Sequence, residues 1–101
     1  MHAARINLIS DKNLATVIGL FRALAHPLRL QLLEFIGQHK STNVNKIYNT
    51  LKLEQSVTSQ HLRILRDNGL VITTRKGKFI YYSVNYSLLS KIEKGLTDFF
   101  D

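Results

Sequence analysis

The chain has no cysteine and no tryptophan, and only one proline and one methionine in 101 residues. Without cysteine there is no disulfide, no thiolate metal site and no thiol redox switch. One proline and five glycines leave no flexible or Pro-rich linker, so a single domain is expected over residues 1–101. No apolar run approaches the roughly 18 residues that cross a bilayer. The opening MHAARINLISDKNL has no basic cluster followed by an apolar core, so neither a membrane segment nor a signal peptide is expected. Acidic side chains are also scarce, with 7 against 14 Lys and Arg.

What is present is an ordinary globular composition. Apolar residues make up 45% and aromatics 9%, which argues against disorder. The net charge of +7 is unevenly placed. Residues 40–78 hold Lys40, Lys46, Lys52, Arg63, Arg66, Arg75, Lys76 and Lys78 against Glu54 and Asp67, eight cations to two acids, a net +6. A basic stretch of this kind is suited to a polyanionic partner.

Hydrophobic spacing predicts a mainly α chain with a small β-hairpin. Asp11 suits an N-cap, and Leu14, Val17, Ile18, Phe21, Leu24 and Ala25 recur at helical spacing over residues 11–25. His26-Pro27 breaks that helix, and Pro27 fits the first turn of the next. The second helix carries Leu28, Leu32, Phe35 and Ile36 and is expected to stop near Gly37. After a loop at 39–43, Val44, Ile47, Tyr48 and Leu51 mark a short helix capped by Ser41, Thr42 or Asn43. Gln55 or Ser56 opens another, with Leu62 and Leu65 inward and Asn68-Gly69 as its stop. Residues 44–68 thus read as a helix-turn-helix. Leu70–Arg75 and Phe79–Val84 read as strands around Lys76-Gly77-Lys78, a wing over 70–84. Asn85 or Ser87 caps a last helix, 86–100. The architecture expected is a winged helix-turn-helix of the α+β type, with four helices, two strands and a final helix.

The last helix has more apolar surface than one small core needs. Leu88, Ile92 and Phe99 lie along one stripe, with Leu89, Leu96 and Phe100 along another, and Gly95 permits close approach. With Leu14, Val17 and Phe21 of the first helix, these residues suggest a two-fold homodimer. Residues 1–10 form an N-terminal extension whose Ile6, Leu8 and Ile9 extend the first helix or pack across the dimer.

On the helix at 55–66, Ser56, Ser59, Gln60 and Arg63 share one face, opposite Leu62 and Leu65. Gln pairs bidentately with adenine, Ser donates or accepts at several base edges, and arginines meet phosphate. His61 is either a donor to DNA or a half-buried histidine beneath the helix. Arg75, Lys76 and Lys78 suit a wing at the minor groove or its phosphates. The candidate DNA-facing set is Gln55, Ser56, Thr58, Ser59, Gln60, His61, Arg63, Arg75, Lys76 and Lys78. No Gly-rich phosphate loop, metal-protease pattern or nucleophile–base arrangement is present, so no enzyme and no cofactor is expected.

The strings FRALAHPLRLQLLEFI, SVTSQHLRILRDNGLV and RKGKFIYYSV resemble the ArsR/SmtB family of small dimeric bacterial repressors, over about residues 14–100. The resemblance implies a cytoplasmic, nucleoid-associated winged-helix homodimer, with first and last helices at the dimer interface. It implies a palindromic double-stranded operator as partner, read by Gln55, Ser56, Ser59 and Gln60 in the major groove, with Arg75, Lys76 and Lys78 in the wing. It makes the His26-Pro27 break structural. Glu54 departs from the family's frequent Ser at the cap of the recognition helix. Asn43-Val44-Asn45 stands where many members have a Cys-Val-Cys metal motif, and Asn supplies no thiolate. The last helix offers Glu93 and Asp98 but no histidine for the other known site. His2, His26, His39 and His61 show no ligand spacing. The expectation is a metal-independent repressor, unliganded or relieved by an organic ligand or partner protein. Two other readings stay open, a protein-interaction module without specific DNA binding and a metal-responsive repressor with unusual ligands.

Overall fold

In the computed structural model, residues 11–100 are described. The elements are α1 (Asp11–Leu24), α2 (Pro27–His39), β1 (Thr42–Asn43), α3 (Val44–Leu51), α4 (Gln55–Asp67), β2 (Val71–Lys76), β3 (Phe79–Val84) and α5 (Tyr86–Phe100). The expected extension at 1–10 lies outside the described residues. The helix–helix–helix–helix–hairpin–helix order follows the periodicity of the sequence. None of the described helices is long and apolar enough to cross a membrane.

Local chemistry sets the boundaries. His26 has extended backbone and its ring nitrogen accepts from the Leu28 N–H, with Pro27 opening α2. Asn43 caps α3 by accepting from the Lys46 N–H at 2.9 Å. Asn85 caps α5, its Oδ1 accepting from the Leu88 N–H at 3.2 Å. Gly69 has φ +74 and Gly77 φ +63, so the turns into β2 and at the hairpin tip sit in the left-handed region that glycine enters without strain. The second helix, expected to end near Gly37, ends two residues on, at His39. Gly37 is a contact point instead, because a Cβ there would lie 3.0 Å from the Tyr86 hydroxyl.

Leu32, Ile36, Ile47, Leu62, Leu65 and Leu70 are fully buried. They join α2, α3 and α4 to the root of the wing. Burying a side chain of this size stabilises by about 1.5–3 kcal/mol. Ala23 of α1, with Leu33, Phe35, Val71 and Val84, completes the centre, and Leu88, Leu89 and Ile92 of α5 pack against it.

The loop expected at 39–43 contains a strand. Thr42 and Asn43 pair antiparallel with Tyr82 and Tyr81, which makes a three-stranded sheet of order β1-β3-β2. The hairpin keeps one register from Val71↔Val84 to Lys76↔Phe79. The root pair Val71–Val84 is buried and the far end is exposed. The wing therefore grows out of the core and is stitched at its base to the entrance of α3.

Candidate nucleic-acid interface

The helix-turn-helix is α3 and α4, joined through Lys52, whose backbone is left-handed at φ +56. Leu62 and Leu65 seat α4 on the core and turn Gln55, Ser56, Ser59, Gln60 and Arg63 to solvent. Arg66 is exposed too, with Asp67 3.7 Å away and both side chains open to water, a pairing of little strength.

Thr58 must be removed from the DNA-facing set. It is fully buried, and its hydroxyl donates to the Glu54 carbonyl at 2.8 Å. It belongs with Leu62 and Leu65 on the inward stripe at i, i+4 and i+7, a spacing visible in the sequence. His61 takes the inward of its two readings. It is half-buried, its ring stands 4.7 Å from that of His26, and its Nδ1 lies 3.2 Å from Arg29 Nη1. Burial, together with the nearby charges of His26 and Arg29, pushes its pKa down from the usual 6.5. Arg29 was not visible as a site residue, because its partners lie on two other elements. Glu54 occupies the N-cap of α4, but its side chain makes no capping hydrogen bond.

In the wing, Arg75, Lys76 and Lys78 are all exposed. Arg75 Nε donates to the Gly77 carbonyl at 3.3 Å. Lys76 Nζ lies 5.7 Å from the Tyr81 ring centre and Lys78 Nζ 5.4 Å from that of Phe79. The two rings meet edge to face at 6.4 Å. The lysine cations are thus supported by aromatic faces, worth about 0.5–1 kcal/mol each at exposed sites. β2 packs on α4, so the polar helix face and the cationic hairpin belong to one block.

The apolar candidates divide. Leu14, Val17, Ile18 and Phe21 form an exposed stripe on α1, each 36–47% accessible, and Leu96 on α5 is 39% accessible. Ile18 thereby joins the outward set. Leu88 and Ile92, also expected at the interface, are half-buried and pack in part against the core of their own subunit. A Cβ on Gly95 would meet nothing within 4 Å. The Phe99 side chain lies outside the described residues. No group of three or more His, Asp or Glu side chains stands together to hold a metal ion among the described residues.

Comparison with known proteins places this geometry among regulators. Residues 26–73 match the family described as "Bacterial regulatory protein, arsR family". The transcriptional repressor PagR of Bacillus anthracis is 44% identical over 66 residues, 65% of this chain and 66% of that protein. Its crystal structure superposes with a TM-score of 0.70 at 37% identity, covering 86% of this chain and 99% of that one. The transcriptional activator HlyU of Vibrio cholerae is 35% identical over 75 residues, 74% of this chain and 68% of that protein. The crystal structure of NolR from Sinorhizobium fredii gives a TM-score of 0.70 at 33% identity, covering 86% of each chain.

Proposed function

From its place in the ArsR family of bacterial regulatory proteins, to which this chain belongs as a transcription regulator with a DNA-binding helix-turn-helix, we propose that it is a metal-independent homodimeric repressor of a palindromic operator. It acts on chromosomal DNA in the cytoplasm. The observation that carries this reading is the exposed Ser56, Ser59, Gln60 and Arg63 face of α4 beside the wing cations. The α4 face enters the major groove, where Gln and Ser read base edges and Arg63 meets phosphate. Arg75, Lys76 and Lys78 extend the contact along the flanking backbone.

The dimer is supported by the outward stripe on α1 and by Leu96. The chain also has a radius of gyration of 15.5 Å, against about 13 Å for a compact domain of this length. Two-fold pairing through α1 and α5 sets two α4 helices about 34 Å apart, one duplex turn. Metal independence is supported by Asn43, whose side-chain oxygen is already engaged in capping α3, and by the absence of thiolates from the sequence. Repression follows from occupancy of the operator. Release by an organic ligand or a protein partner is compatible with this reading.

The test is selection of duplexes from a genomic fragment library by the purified protein, with and without chelator. A palindrome enriched under both conditions is the expected result. Enrichment altered by chelator overturns metal independence. No enrichment above a salt-sensitive background overturns operator reading and favours a protein-interaction module.

A further inference from the structure

One cluster behind the DNA-facing surface joins three elements. Arg29 leaves α2 and divides its guanidinium three ways. Nε donates to the Ala23 carbonyl at 2.8 Å and Nη2 to the Arg22 carbonyl at 2.9 Å. Both are among the last carbonyls of α1, which have no partner within their own helix. Nη1 meets Nδ1 of His61, on α4, at 3.2 Å. Arginine has only donors, so His61 Nδ1 accepts and the ring proton sits on Nε2. His26 Nδ1 is likewise an acceptor, from the Leu28 N–H at 3.2 Å. Both rings are therefore held with Nδ1 free of a proton, 4.7 Å apart. A second close approach reinforces the link, because a Cβ on Gly19 of α1 would lie 2.9 Å from Asn68 Oδ1 at the end of α4.

We propose that Arg29 and His61 are positioning residues that lock the recognition helix to the dimerisation helix, and that protonating His61 opens the lock and lowers operator affinity. This rests on the operator-binding reading above. A proton on Nδ1 would replace an acceptor with a donor facing Arg29, and set a second positive charge against its guanidinium. The other elements packed on α4 are α3 and β2. Their charged groups, Lys46, Arg75 and Lys76, are exposed to water. The folded-state pKa of His61 lies below the usual 6.5, so the lock is closed at neutral pH and opens as pH falls through the lowered value. The unfolded chain takes up its proton at the usual value. Stability therefore also falls, from pH 6.5 down to the lowered pKa.

The sign separates this role from direct contact. A histidine touching phosphate binds DNA more tightly when protonated, whereas the lock predicts weaker binding. The measurement is affinity for a palindromic duplex recovered by selection from a random pool, at fixed salt, between about pH 7.5 and about pH 5.5. The wild-type chain loses affinity progressively on acidification, toward a limit of about tenfold per site when His61 is fully protonated, the worth of one hydrogen bond to a charged group. His61→Gln, which accepts the same bond without titrating, gives a profile that no longer falls. Arg29→Met binds more weakly at the higher pH and also shows no fall. Wild-type affinity that stays level or rises on acidification overturns the proposal, as does a fall retained in His61→Gln. If the pool yields no duplex, operator reading fails and the lock is judged by amide exchange. After correction for intrinsic pH dependence, α4 amides open more readily at low pH in the wild type than in His61→Gln. Equal behaviour of the two overturns the lock.

Discussion

Thr58 and Ser59 are neighbours with opposite fates. Thr58 is sealed beneath α4 with its hydroxyl on the Glu54 carbonyl, while Ser59 faces water. Thr58→Ala is expected to cost about 1–2 kcal/mol in denaturant unfolding, through a lost hydrogen bond and a small void. Ser59→Ala leaves stability within about 0.5 kcal/mol and weakens operator binding in a direct titration. Thr42 offers the converse case. Its buried hydroxyl has no hydrogen-bond partner among the described residues. Thr42→Val keeps the shape and the β-branch, removes the unpaired group, and is expected to raise the unfolding free energy by about 1 kcal/mol.

At the scale of elements, local signals account for most boundaries. His26-Pro27, Asn43, Asn68-Gly69, Lys76-Gly77-Lys78 and Asn85 each mark an end by chemistry confined to a few residues. β1 was not legible because two residues carry no periodicity, and its partners Tyr81 and Tyr82 lie nearly forty positions on. The polar stripe of α4 was legible from spacing alone. Leu88 and Ile92 were not separable from Leu96, because an apolar stripe does not say whether its own subunit or a partner covers it. Glu54 is the weak cap of α4. Glu54→Ser is expected to stabilise the chain by about 0.5–1 kcal/mol through a side-chain cap, seen as a higher denaturation midpoint. It also tightens DNA binding by removing an acid near phosphate. In the wing, Lys76→Ala and Lys78→Ala are each expected to lower the slope of log affinity against log salt by about 1. Unchanged slopes would place the hairpin away from the duplex.

At the scale of the molecule, the stripe of Leu14, Val17, Ile18 and Phe21 lies apart from the buried centre. Phe21→Glu therefore leaves the fold of one subunit intact. Sedimentation is expected to show a monomer, with operator affinity reduced by at least about 100-fold as the second half-site is lost. A variant that stays dimeric would move the interface elsewhere. The ladder of β1 on β3 has a consequence for engineering. It sews the entrance of α3 to the wing, and the Asn85 side chain donates to the Gly69 carbonyl at 2.8 Å, fastening the wing's exit to the end of α4. A graft meant to transfer sequence preference between relatives cannot be α4 alone. The transplantable cassette runs from Thr42 to Asn85, because a shorter exchange leaves half of each seam behind.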